Sequence, residues 1–198
     1  MNYFISDLHF GHENCLDFDA RPFNSIEEHD AELIKRWNEK VTPDDDVYIL
    51  GDISWKNVTE TIKIFEQLNG NKHLIKGNHD AHFMKNKQLR DQFVEITDYK
   101  ELVINEDGTS IVLSHYPILA YKNLFRGWKH LYGHVHSSLE WNMMTANKLR
   151  FKELYSKKDG RNPEDVFEAY NVGCMMPYMN YTPMSYTELS EAAKKMGY

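Results

Sequence analysis

Three short apolar runs in the first 80 residues, Asn2 to Ser6, Val47 to Leu50 and His73 to Lys76, are separated by two stretches that keep helical spacing. Runs this short suit buried strands, and a strand that returns to its sheet in the same direction needs a crossover of roughly a dozen residues or more. The first crossover opens on Ser25 and Glu28, the S-x-x-E spacing of a capping box, and continues through Ile26, Leu33, Ile34, Trp37 and Val41. The second runs from Asn57 through Val58, Ile62, Phe65 and Leu68 to a stop at Asn69-Gly70. The order β-α-β-α-β predicts a parallel sheet with right-handed crossovers.

Beyond Glu101 the pattern changes. Leu102 to Ile104 and Ile111 to Leu113 flank Asn105 to Gly108, whose D-G step predicts a β-hairpin. His130 to Gly133 and Val166 to Val172 read as further strands. Leu139 to Lys158 is polar, aromatic and Met-bearing without clear periodicity, and reads as an insertion, part of it helical. Ser185 with Glu188 opens a last helix through Leu189, Ala192 and Met196. With 198 residues and no repeat or linker, the chain is expected to form one domain over 1–198, the insertion lying around 139–160.

Each run ends on a polar motif. They are S-D-L-H at Ser6 to His9, Gly51-Asp52, G-N-H-D at Gly77 to Asp80, Ser114-His115, and G-H-V-H at Gly133 to His136. Open α/β sheets place their sites at the carboxyl ends of strands, and Asp, Asn and His are hard or borderline donors for divalent first-row metals. Asp7 and His9 stand two apart, as do His134 and His136, so extended backbone turns each pair to one side. The Asp52 carboxylate has two oxygens and can bridge two ions. With Asn78 and His115 the donors suffice for two ions about 3.5–4 Å apart, the spacing that suits in-line phosphoryl displacement. With Asn78 turned to the metals, His79 is expected to project toward a leaving oxygen as general acid. Asp80 either orients that imidazole or caps a following helix, and the cap is the preferred reading.

This ordered set closely resembles the calcineurin-like metallophosphoesterase superfamily, over Asp7 to His136. The resemblance implies a four-layer α-β-β-α sandwich with two central mixed sheets and a dinuclear centre, with manganese the first choice and iron, zinc, nickel or magnesium as alternatives. It further implies that Asp7, His9, Asp52 and His136 serve one ion and Asp52, Asn78, His115 and His134 the other. Asp52 and His79 are then the catalytic pair, with a metal-activated water attacking phosphorus and His79 protonating the departing alkoxide. The D-R-G that supplies an arginine clamp in the phosphoprotein phosphatases is missing here, where Ile53-Ser54-Trp55 follows Asp52. The chain looks more like the small bacterial and phage phosphoesterases, many of which favour diesters. Asn171-Val172-Gly173 resembles the N-P-G loop that closes the site in such relatives.

The expected substrate is a small nucleotide-like or other soluble organic phosphate, with a phosphodiester preferred. The alternatives are a phosphomonoesterase using Arg21 or His12, a nuclease on short single strands, and a non-catalytic scaffold. A formal charge of −7 argues against gathering long nucleic acids, although bound cations keep the cleft attractive to one phosphate. No apolar run approaches the ~20 residues of a membrane span and the N-terminus lacks signal-peptide features, so a cytoplasmic protein without a membrane partner is expected. Cys15 and Cys174 lack C-x-x-C spacing and read as packed thiols.

His12, Arg21 and Asn171 are the candidate substrate contacts, against plainer readings of His12 as a loop histidine and Arg21 as half of a surface ion pair. The aromatic and Met-rich stretches, Tyr116 and Trp128 among them, serve base stacking, core packing or a homodimer surface. His29, His73, His82 and His130 read as structural.

Overall fold

The first 97 residues build one sheet. Strands β1 (Asn2–Ile5), β2 (Asp46–Ile49), β3 (Asn71–Ile75) and β4 (Glu95–Thr97) pair in that order and always in parallel. A short helix α1 (Asn14–Phe18) precedes the two crossovers, α2 (Ile26–Lys40) and α3 (Val58–Phe65). The computed structural model describes residues 1–104, 108–159 and 167–198, and only the backbone of 156–159.

The Ser25 cap is half of the predicted box. Ser25 Oγ accepts the Glu28 N–H at 3.2 Å, while the Glu28 carboxylate accepts the N–H of Asn24 at 2.8 Å. At Ser185 the box closes in both directions. The third crossover, where the sequence suggests a helix after Asp80, contains the four-residue α4 (Lys87–Arg90), capped by Asn86 instead.

The second sheet comprises β5 (Tyr99–Val103), β6 (Ser110–Ser114), β7 (Lys129–Tyr132) and β8 (Glu168–Asn171). β5 and β6 are antiparallel, as the predicted hairpin requires, and β6–β7 and β7–β8 are parallel. The mixed character implied for both sheets thus belongs to the second, because helical crossovers keep the first parallel. Residues 105–107 of the hairpin turn and Val166, the predicted start of β8, lie outside the described residues.

Side-chain alternation builds the layers. In β6, Ile111 and Leu113 join Ile5, Ile49 and Ile75 of the first sheet in one core, whereas Val112 joins Tyr132, Phe167 and Ala169 in another. A strand buried on both faces needs a cover on each. α2 and α3 cover the first sheet with Leu33, Trp37, Ile64 and Phe65, and α5 (Leu139–Asp159) covers the second with Met144 and Tyr155. The result is an α-β-β-α sandwich. The inward positions of α5, Trp141, Met144, Phe151 and Tyr155, do keep helical spacing. Exposed Leu139, Met143, Leu149 and Leu154 mask that spacing in the sequence. A final helix α6 (Tyr186–Lys195) packs Leu189 and Ala193 into the first core. Among the described residues no helix is long and apolar enough to cross a membrane.

The two sheets meet where their strands end. Ser6, just past β1, donates its N–H to the Val172 carbonyl at 2.8 Å and bridges to Gly173, just past β8. The motif loops of both sheets therefore emerge along one seam.

Trp37 is 1% exposed and its indole N–H binds the Asn69 carbonyl at 3.0 Å, fixing α2 against the sheet. Trp37→Ala is expected to lower unfolding free energy by about 3–5 kcal/mol, read from urea midpoints; a loss below about 1 kcal/mol would contradict this anchoring role.

Candidate metal centre

The loops after β1, β2, β3, β6 and β7 carry the predicted ligands, and the backbone that delivers them is unusual. Asp7, His9, Asp52, His134 and His136 all lie in the left-handed region, with φ between 45° and 69°. Non-glycine residues adopt this conformation at a cost, and it concentrates at functional sites. The expected extended backbone around Asp7–His9 and His134–His136 is therefore corrected. The loops curl at each ligand, and His134 and His136 serve different groups.

One group comprises Asp7, His9 and His136, the other Asp52, His115 and His134, with the donor atoms of each lying within 4.8 Å of one another. Asp52 Oδ2 lies 3.9 Å from His9 Nε2 and 3.7 Å from His115 Nε2, so this carboxylate stands between the groups. Asn78 Oδ1 lies 2.9 Å from His115 Nε2 and extends the second set. Two glycines permit the convergence. A Cβ on Gly77 would lie 2.2 Å from Asp52 Oδ1, and one on Gly133 would lie 2.5 Å from Ser6 Oγ.

The imidazoles are oriented by partners on their far nitrogens. His115 Nδ1 donates to the Leu50 carbonyl at 2.7 Å, and His136 Nδ1 donates to Asp19 Oδ1 at 2.7 Å, which leaves both Nε2 atoms facing inward. His9 and His12 share a proton between their Nδ1 atoms at 3.3 Å. Among the described residues His9 Nε2 is buried without a hydrogen-bond partner. Asp7 and Asp52 are 0% and 2% exposed, and neither has a Lys or Arg ion pair among the described residues. An orphaned imidazole nitrogen beside two buried carboxylates that face imidazoles rather than Lys or Arg fits divalent cations.

The titrations follow from burial. Burial, reinforced by the nearby Arg21 charge, keeps the His9 imidazole far below its ordinary pKa and hence neutral. Burial also pushes the Asp52 carboxyl up to about 6, with His115 opposing and Asp7 adding to the rise. For His136 burial works downward, but the Asp19 hydrogen bond and the Asp7 charge carry its pKa above the ordinary value.

Several predicted residues do other work. Arg21 is 3% exposed, and its guanidinium donates to the carbonyls of Asp7 and Leu8 at 3.0 and 3.3 Å and to Asp19 at 2.8 Å. It is neither a substrate contact nor a surface pair, because its donors are occupied inside the protein. Asn171 is likewise corrected: fully buried, it donates to the His136 carbonyl at 2.9 Å and accepts the Gly173 N–H at 2.8 Å. The Asp80 carboxylate neither orients His79 nor caps a helix; it accepts the N–H groups of Gly77, Asp52 and Ile53 at 2.7–3.0 Å. His12 does lie at the site, half-buried, its ring parallel to Trp55 at 4.0 Å.

His79 is exposed at the rim, its backbone N–H on Asp52 Oδ1 at 3.1 Å. Of the other histidines, His29, His73 and His130 hold structural hydrogen bonds, whereas His82 is exposed and lines a cavity with His79. Sequence reasoning missed Asp19 and Trp55. A D-x-R step is too common to single out Asp19, and Trp55 had only its place three residues after Asp52.

Two cavities border the centre. One, of about 340 Å³, is lined by Ser54, Trp55, Asn78, His79, Ala81 and His82. The other, of about 390 Å³, is lined by Phe18, Asp19, His134, Val135, His136, Ser137, Ser138 and Glu140.

Residues 3–181 match the family model of the calcineurin-like phosphoesterases. An uncharacterized protein of Methanocaldococcus jannaschii is 37% identical over 138 residues, 69% of this chain and 69% of that protein. The gene 66 protein of Mycobacterium phage D29 is 32% identical over 168 residues, 72% of this chain and 82% of its own. The crystal structure of a protein of unknown function from Aquifex aeolicus superposes with a TM-score of 0.65 at 28% identity, covering 96% of this chain and 98% of the other.

Two outcomes follow from this geometry. Asp19→Asn weakens the hold on His136, so one of the two bound ions should lose about 10–100-fold in affinity while the other keeps its own, measured by chelator competition; equal loss at both, or none, contradicts the arrangement. Because Asp52 and His136 keep protons that an entering cation must displace, apparent Mn²⁺ affinity should fall about tenfold or more per pH unit below about 6 and level off once both are deprotonated. Calorimetric titrations from pH 5 to 8 test this, and a flat profile would refute it.

Proposed function

The chain belongs to the calcineurin-like phosphoesterase family, and on that premise we propose that it is a metal-dependent phosphodiesterase acting on a small nucleotide-like or other soluble organic phosphate. Asp7, His9, Asp52 and His136 hold one divalent ion, and Asp52, Asn78, His115 and His134 the other. When bound, the pair supplies Lewis-acid polarisation of the phosphoryl group and a water acidic enough to attack at neutral pH.

The diester preference rests on the two cavities. They share no lining residue, and neither is lined by Lys or Arg. A phosphodiester has two organic arms and one negative charge, so two separate recesses beside the metal centre, neither with a Lys or Arg to clamp a dianion, suit it. A monoester dianion favours a cationic clamp, and the nearby guanidinium of Arg21 is occupied by Asp19 and the carbonyls of Asp7 and Leu8.

His79 lines the first cavity, and the leaving arm sits there. Its imidazole gives its proton to the departing alkoxide, which is the harder to expel the more basic it is. Asp52 fastens the His79 N–H and holds the acid near the metals. The buried, low-basicity His9 stays neutral and available as a ligand.

The test uses metal-stripped protein refilled with Mn²⁺ and paired aryl phosphate mono- and diesters. The diester should turn over at least about tenfold faster, and Asp52→Asn should reduce turnover by about a hundredfold or more. A monoester preference would sink the diester reading, and unchanged turnover in the Asp52 variant would sink the ligand assignment. His79→Ala should keep its metal yet lose about 10²–10⁴-fold with an alkyl leaving group and far less with nitrophenolate. Equal losses with both would count against the acid role.

A further inference from the structure

A proton donor is effective only when its ring is held in the line of transfer, and histidine is usually held by a hydrogen bond to its second nitrogen. The His79 side chain has no such bond among the described residues. Its neighbouring carboxylate, Asp80, faces the backbone N–H groups of Gly77, Asp52 and Ile53 instead. The contact that meets the exposed imidazole is the indole of Trp55, with ring centroids 4.3 Å apart and planes inclined by 49°.

Trp55 is itself anchored at its backbone. Its main-chain N–H donates to the Phe10 carbonyl at 2.8 Å, and the preceding Ser54 is buried and bridged to Phe10. The indole lies parallel to His12 at 4.0 Å with an interplanar angle of 4°, and over His9 at 4.7 Å and 28°. His9 belongs to the first metal group and His79 stands at the rim, so one rigid ring touches both a ligand and the proton donor.

We propose that Trp55 is the positioning residue for the proton donor: its indole limits the rotamers of the His79 imidazole and sets that ring's place relative to His9, in place of a carboxylate partner. The inference rests on the phosphoesterase reading with His79 as acid. A flat ring can present the same wall whether indole or phenyl, whereas a branched aliphatic chain of similar bulk cannot.

Trp55 is 38% exposed, so its replacement leaves no core cavity. Trp55→Leu should lower kcat for an alkyl-leaving diester by about 10–100-fold and for a nitrophenyl diester by less than about threefold, with metal content unchanged. Trp55→Phe should recover most of the loss. In zinc-loaded protein the His79 ring resonances, assigned against His79→Ala, should shift in Trp55→Leu as the indole ring current is removed. Equal losses on both esters, no recovery with phenylalanine, or unmoved His79 resonances would overturn the proposal. If wild-type protein hydrolyses neither ester, the phosphoesterase reading fails, and the resonances alone still decide whether Trp55 holds His79.

Discussion

Two carboxylates, Asp7 and Asp52, are buried close together at the seam between two sheets, and the rest of the site is arranged around that repulsion. Among the described residues neither has a Lys or Arg as an ion-pair partner, and burial lifts the Asp52 carboxyl to about 6 with Asp7 adding to the rise. In a low-dielectric seam such a pair is tolerable only with protons or cations between them. The imidazoles of His9, His115 and His136 face the same space with their far nitrogens tied back, so the arrangement favours cations.

Holding seven donors on one locus requires loops that do not relax. Two buried charged groups do this with opposite hydrogen-bonding character. Arg21, a donor only, gathers the carbonyls of Asp7 and Leu8 and the Asp19 carboxylate behind the first group. Asp80, an acceptor only, gathers the N–H groups of Gly77, Asp52 and Ile53 behind the second. Each satisfies main-chain groups that the curled loops leave unpaired. Their presence helps hold the candidate ligands Asp7, His9 and Asp52 at positive φ, where surrounding structure must over-determine the backbone, while Asp7 and Asn171 hold the loop of His134 and His136.

Legibility in the sequence followed the range of the interaction. β1, β2, β3, α2 and α3 were readable because periodicity and caps are local signals, and the reciprocal box at Ser185 was readable for the same reason. α5 was not, because its exposed leucines and methionine blur the stripe formed by Trp141, Met144, Phe151 and Tyr155. β4 went unread because three half-buried residues, Glu95–Thr97, carry too little pattern to stand out. Arg21 and Asn171 drew a substrate role from their chemistry, yet their chemistry is turned inward, which no local pattern reports.

By itself the sequence determined the parallel opening sheet, the ordered motif set and the donors that can bind metal, since periodicity, capping and ligand chemistry reside in residues near one another in the chain. The tertiary structure alone decided that His134 and His136 part to different groups, that Asp19 backs His136 across 117 residues, and that Trp55 comes to lie against His79. Those outcomes depend on how two sheets, one parallel and one mixed, bring their loop ends together, and on which polar groups the burial then forces into partnership.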